Sequence, residues 1–292
     1  MVRAVRGETR LLATRHTSTP MRCVYVDLDG TLLGPGASLL RAEDGSFALD
    51  GARALQACHR ADVEVVIFSG RRQAQVMEDA RLIGQTAYIF EAGSGLVVDG
   101  ELEWLTGGLE PTDAGVTIHD QIEACGAPAL LLERYAGRLE YHAPWHRDRD
   151  VSHLFRGLVD AAEVDALLEQ HGHGHLRLVD NGVVRSRSAN LAELPLVRAY
   201  HLVPRAASKA GAVARHMQIR GYRPDECIAV GDSREDLGAA AVVGAFWFVA
   251  NALAKDPTLH EAIAGRENVR VAEGTYGAGV YEAVVTTLAA RG

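Results

Sequence analysis

Two aspartates separated by one residue, Asp27 and Asp29, leave an apolar run and enter a Gly30-Thr31 turn. Residues 23–26 read as a strand buried on both faces of an open parallel sheet, and in such sheets ligands sit beyond the carboxyl ends of the strands. Carboxylates at close range raise one another's proton affinity unless a cation neutralises them. A hard, oxygen-seeking ion such as Mg²⁺ suits that position, because it keeps several waters and takes one or two carboxylates together with a substrate phosphate. One carboxylate can then act as nucleophile, dividing a difficult displacement into two easier ones, and the other as general acid and base. Asp-Gly also marks tight turns that carry no chemistry, so the weight falls on further strand ends.

The apolar run at residues 63–68 ends in Ser69-Gly70-Arg71, whose hydroxyl and flexible backbone N–H can hold phosphate oxygens at the start of a helix. Lys209 opens another helical pattern and offers a point charge suited to a phosphoryl group. Residues 227–230 lead into Gly231-Asp232-Ser233-Arg234-Glu235-Asp236, whose carboxylates would complete a metal's ligand set. Asp-x-Asp-Gly-Thr, then Ser-Gly after a hydrophobic run, then Lys, then Gly-Asp-x-x-x-Asp, in this order, resembles the haloacid-dehalogenase-like (HAD) hydrolases. The resemblance is to their phosphatase branch and spans most of the chain. It implies Asp27 as nucleophile, Asp29 as general acid and base, and Ser69, Gly70 and Lys209 as holders of the phosphate. It further implies Mg²⁺ bound by Asp27, the backbone carbonyl of Asp29 and Asp232, with Asp236 acting through water or from behind the ligands. Thr31 would fix the loop that carries the acid. Dehalogenases themselves lack the second aspartate of the first motif, so Asp29 argues against carbon-halogen chemistry.

The elements that must position these groups alternate. After the first strand, the pattern predicts a helix over 49–61, a strand over 63–68, a helix over 72–83 and a strand over 87–90. A hairpin follows, with runs at 96–98 and 102–105 joined by Asp99-Gly100. Residues 108–198 differ in character: strands are expected at 129–132, 138–142, 151–159 and 176–179, and a helix at 161–170. Alternation resumes with a helix after Lys209, strands at 227–230 and 245–249, and a helix over 279–290. The fold expected is α/β, a Rossmann-like core with a parallel sheet (residues 21–107 and 199–292) into which an α+β module (108–198) is inserted. An insertion of this size at this point resembles the C2-type cap of HAD phosphatases of the Cof-like, sugar-phosphatase-like branch. That implies a cap closing over the core and a small phosphorylated metabolite, such as a sugar phosphate, as substrate.

Composition sets bounds. The 292 residues are 48% hydrophobic and carry a formal net charge of −8 without a basic block, which argues against nucleic acid as a partner. No apolar stretch reaches the roughly 18 to 20 residues of a transmembrane helix. Residues 1–20, rich in Arg and Thr, lack the apolar core of a signal peptide and read as a disordered extension, with Met21 an alternative start. Cys23, Cys58, Cys125 and Cys227 are scattered without metal-type spacing and fit reduced thiols in the cytoplasm.

Two departures from the resembled pattern bear on the site. Glu235 stands where C2-capped relatives often have Asn, and Glu91-Ala92-Gly93 follows the third core strand where they commonly carry Asn-Gly. Within the insertion, Tyr141, His142, Trp145, His146 and Arg147 are candidates for substrate contact, as is Arg71 in the core, since aromatic and cationic groups suit sugar hydroxyls and anions. His171, His173 and His175 alternate with glycine in a stretch that reads as a helix end rather than a metal site. Two alternatives stay open: a phosphomutase using the same nucleophile, and a phosphometabolite-binding regulator without turnover.

Overall fold

The computed structural model describes residues 19–184 and 188–291, so the expectation of a disordered extension falls, up to residue 18, outside the described residues. The strands, in chain order, are Cys23–Val26 (β1), Glu64–Phe68 (β2), Ala87–Phe90 (β3), Gly95–Val98 (β4), Glu101–Trp104 (β5), Leu139–Tyr141 (β6), His153–Gly157 (β7), Leu176–Val183 (β8), Arg198–Pro204 (β9), Cys227–Gly231 (β10), Ala245–Phe248 (β11) and Val269–Val271 (β12). Eight of them form one sheet in the order β12-β11-β10-β1-β2-β3-β4-β5. It is parallel from β12 to β3 and antiparallel from there to β5.

Alternation along β1 sends Val24 and Val26 to one face and Cys23 and Tyr25 to the other, and both faces are covered. The helices Asp50–Arg60 and Tyr276–Arg291 pack against each other over the first face, and the helix Lys209–Arg220 covers the second. Burial on both sides is why β1 and β10 are almost wholly apolar. The register sets the site: Val26 pairs with Val230 on one side and Ile67 on the other. Chain direction along the sheet reverses its order of addition at β1, and the residues that follow these strands emerge together at that switch point. The hairpin between β4 and β5 turns on Asp99 (φ 53) and Gly100 (φ 90), the paired positive φ values that a tight two-residue hairpin requires.

The second sheet is antiparallel, in the order β6-β7-β9-β8. Its core joins Phe155, Tyr200 and Leu202 to Ile118, Leu131 and Val164 from the helices Ile118–Ala124, Ala127–Arg134 and Ala161–Gln170. Asp160 accepts the Glu163 N–H at 2.8 Å and starts the last of these where the sequence places it. Two expectations are corrected. Residues 129–132 are not a strand; they lie in the helix Ala127–Arg134, which Pro128 helps to start and which buries Ala127 and Leu131, one turn apart. The insertion also does not end at residue 198, because β9 runs to Pro204 between β7 and β8. Arg198 and His201 interrupt its apolar pattern, which hides the strand in the sequence. No helix of the described residues is long and apolar enough to cross a membrane.

Candidate active site

Asp27 directly follows β1 and donates its N–H to Val230 O at 3.1 Å, which fixes the start of the loop against β10. The loop then passes close to Asp232. Gly30 (φ +97) permits this, since a Cβ there would lie 2.3 Å from Asp232 Oδ2. Asn251 holds the same turn by donating to Gly30 O at 2.8 Å. Asp27, Asp232 and Asp236 bring carboxylate oxygens within 4.8 Å of one another, all buried. Lys209, 1% exposed, donates through Nζ to Asp27 Oδ1 at 2.9 Å and Asp236 Oδ1 at 2.6 Å. Burial pushes the Asp27 carboxyl up to about 8 against the pull of Lys209, with Asp236 and Asp232 adding to the rise. Burial also raises Asp232, against the opposing charge of Lys255 at 3.1 Å. For Lys209, burial favours the neutral amine but is outweighed by Asp236 and Asp27, so its affinity for the proton rises.

Asp236 is committed on its other oxygen as well, which accepts the Asp232 and Ser233 N–H groups (3.1 and 3.0 Å) and the Ser233 hydroxyl (2.7 Å). It thereby fixes both the start of the helix Arg234–Leu237 and the position of Lys209. Glu235 Oε1 accepts the Lys209 N–H at 3.2 Å and stands 4.0 Å from Arg177 on β8. It thus caps the helix Lys209–Arg220 and faces a cation of the second sheet. Thr31 is fully buried, but its hydroxyl has no hydrogen-bond partner among the described residues; the turn closes through its N–H to Leu28 O at 3.2 Å.

Ser69 and Gly70 follow β2 beside Asp27, and Ser69 Oγ accepts the Arg71 N–H at 3.2 Å. Arg71 does not stand free as a substrate anchor. Its Nε and Nη2 clasp the Asp29 carboxylate at 2.6 and 2.7 Å, and its Nη1 reaches Asp79 at 2.8 Å. A planar guanidinium matches a carboxylate in this two-point fashion.

A cavity of about 540 Å³ lies between the two sheets. Asp27, Asp29, Ser69, Gly70, Arg71 and Asp232 line its floor, and the insertion closes it from above. His142 and Trp145 are among its lining residues. His146 and Arg147 are not among its lining: His146 stacks on Tyr141 with ring centres 5.0 Å apart, and the Arg147 carbonyl accepts from Arg72 at 3.4 Å. His171 is tied to Leu167 O at 3.0 Å, and no group of three potential metal ligands forms around the His171, His173 and His175 stretch among the described residues.

Sequence reasoning missed Arg149, Asn181 and His201 in the cavity wall, and Lys255 and Asn251 beside the carboxylates. It also flagged Glu91 only as a departure. Glu91 is fully buried at a positive φ of 45 and extends from the end of β3 into the insertion, accepting the N–H groups of Asp150 (2.9 Å), Val151 (3.1 Å) and Ser152 (2.6 Å). Removing it would leave two buried donors and one part-buried donor without an acceptor. Glu91→Ala is therefore expected to cost about 3 kcal/mol or more in thermal unfolding, and to speed amide hydrogen exchange at residues 150–152. Glu91→Gln, which keeps one acceptor oxygen, should lose less.

The chain matches no family model. Over 232 residues it is 23% identical to a phosphoglycolate phosphatase from Methanococcoides burtonii, covering 80% of this chain and 84% of the relative. Over 234 residues it is 27% identical to a phosphoglycolate phosphatase from Halorubrum lacusprofundi, covering 78% and 83%. Among solved structures it resembles the sucrose-phosphatase from Synechocystis in complex with sucrose and phosphate, with TM-score 0.58 and 14% identity over 92% of this chain and 98% of the other. It likewise resembles a phosphatase of the haloalkanoate (HAD) enzyme superfamily from Bacteroides thetaiotaomicron, with TM-score 0.59 and 15% identity over 96% and 98%. The structural likenesses show the fold. The chain thus shares the α/β fold of these solved structures and is similar in sequence to phosphoglycolate phosphatases.

Proposed function

We propose that the protein is a Mg²⁺-dependent phosphomonoester hydrolase that acts on a small phosphorylated metabolite through an aspartyl-phosphate. The observation that carries this reading is the placement of Asp27 at the central strand end, 2.9 Å from Lys209, within a buried trio of carboxylates. The trio supplies oxygen donors only, and burial raises both Asp27 and Asp232, as expected for a site whose charge is balanced by a cation. Asp27, the Asp29 carbonyl and Asp232 would hold the ion, which would supply charge neutralisation at the transferring phosphoryl group.

Asp27 attacks phosphorus in line while Ser69, the Gly70 N–H and Lys209 hold the equatorial oxygens. Asp29 gives a proton to the leaving alkoxide and then takes one from the water that hydrolyses the aspartyl-phosphate, a contribution of roughly 10² to 10⁴-fold. Arg71 keeps Asp29 over the cavity between these steps, and Asp236 keeps Lys209 in place from behind. The core would run over residues 21–107 with the chain after β9, and the cap over the segment between, with closure excluding water. Four unpaired cysteines fit a cytoplasmic enzyme.

The test is phosphate release from an aryl phosphate and a panel holding phosphoglycolate and sugar phosphates, with Mg²⁺ and with chelator. Release that requires Mg²⁺ supports the reading. Undiminished release in chelator, or none from any ester, contradicts it.

A further inference from the structure

Arg149 lies in the loop that leads into β7, at 7% exposure, and belongs to the cavity wall. Its Nε donates to Trp145 O at 3.1 Å, and its Nη1 donates to Gly70 O at 3.1 Å and to Ser152 Oγ at 2.9 Å. These bonds hold the guanidinium across the junction of cap and core. Nη2 has no hydrogen-bond partner among the described residues. A guanidinium in a cavity wall is costly to bury unless ligand or water meets the N–H groups that the protein leaves over.

The groups around it are polar. A Cβ placed on Gly70 would lie 2.7 Å from His201 Nε2 and 3.1 Å from Asn181 Nδ2, so both cap side chains press directly on the turn that follows Ser69. His201 Nδ1 lies 3.2 Å from Ser152 Oγ, and burial, then Arg149, keeps the imidazole neutral. The nearest carboxylate to Arg149, Glu91, stands 3.9 Å from Nη1 and already accepts three backbone N–H groups. It offsets part of the guanidinium charge, so a ligand carrying one negative charge matches what is left better than a second phosphate dianion.

Resting on the phosphatase reading above, we propose that Arg149, with Asn181 and His201, forms a carboxylate subsite on the leaving-group side of the phosphate, selecting phosphorylated carboxylic acids over neutral phosphate esters of the same size. Arg149 is a specificity residue here, and the reaction itself stays with Asp27 and Asp29.

The experiment compares phosphoglycolate with 2-hydroxyethyl phosphate, its neutral counterpart, on the unmodified enzyme, Arg149→Met and Arg149→Lys, with p-nitrophenyl phosphate as the reporter of Asp27-dependent hydrolysis. The unmodified enzyme should prefer phosphoglycolate in kcat/KM by roughly 30-fold or more. The preference should fall to about threefold or less in Arg149→Met, through KM more than kcat, with Arg149→Lys between. No preference in the unmodified enzyme overturns the subsite while hydrolysis of p-nitrophenyl phosphate stands. Equal losses on both esters in the variants overturn it too, since that result belongs to contact with the phosphoryl group or to the cap junction alone. Absence of Asp27-dependent hydrolysis from every ester removes the phosphatase reading, and the subsite with it.

Discussion

Asp27→Asn is expected to lower phosphate release by roughly 10⁴-fold or more, because an amide cannot form the acyl-phosphate and loss of a nucleophile removes a whole route rather than one contact. The fold should not suffer. Asn occupies the same volume, and its side-chain oxygen can still accept from Lys209, which donates to Asp27 Oδ1 at 2.9 Å. Stability should in fact rise in chelator. The folded protein holds the Asp27 carboxyl at about 8, above its ordinary value of 3.8, so between those values the folded state binds the proton more tightly than the unfolded state. Its contribution is therefore present at low pH and lost as pH rises through the folded value. The gain in Tm from Asp27→Asn should be larger at pH 8 than at pH 5. A variant with near-parental turnover, or one that melts earlier at both pH values, would contradict this assignment.

Lys209→Met should damage both activity and stability. It strips the cation from two carboxylates that are 8% and 1% exposed in their side chains. Breaking a buried pair from one side costs about 3 to 5 kcal/mol, since the partner charge is left unsolvated. At roughly 2 to 4 °C per kcal/mol for a chain of this order of size, Tm should fall by about ten degrees. Mg²⁺ should restore part of that loss by replacing positive charge beside Asp27. Lys209→Arg is not expected to rescue, because Lys209 Nζ also sits 4.9 Å above the Phe68 ring in a closed space that a planar fork does not fit. A melting point within about a degree of the parent would show that the buried triad is not what holds this edge together.

The sequence was most readable where local chemistry and sheet geometry agree. An apolar run ending in a polar residue can be placed without knowing the rest of the chain, and Asp27, Ser69 and Asp232 were read at such strand ends, with Lys209 read at the start of a helix. The hairpin turn at Asp99-Gly100 was equally legible, because few residues accept its backbone angles. Groups whose role depends on distant partners were not. Glu91 is meaningful only beside Asp150, Val151 and Ser152, about sixty positions on, and Arg149 only beside Gly70. Arg71 was expected to meet substrate, but its geometry toward Asp29 follows from the loop after β1, which sequence spacing does not reveal. In the cap, the apolar run at 129–132 fits a short strand as well as a helix, and only Pro128 and the pairing of the other strands separate the two.

The cap's hold on the core gives the cavity its shape. Arg72 reaches Asp148 at 2.9 Å, and Arg198 on β9 joins Asp180 of the cap to Asp256 of the core at 2.7 Å each. With Glu91 and Arg149 these contacts tie the two parts together, so separating them must break buried hydrogen bonds as well as ion pairs.

The central claim is that Asp27 receives the phosphoryl group. The direct measurement is a single turnover with Mg²⁺ and phosphoglycolate or p-nitrophenyl phosphate, quenched in acid and mapped by mass spectrometry. The account predicts a hydroxylamine-sensitive phosphate on the peptide that contains Asp27, longer lived in Asp29→Asn and missing in Asp27→Asn. Turnover with no phosphorylated peptide in Asp29→Asn, or phosphate carried on another residue, would contradict it.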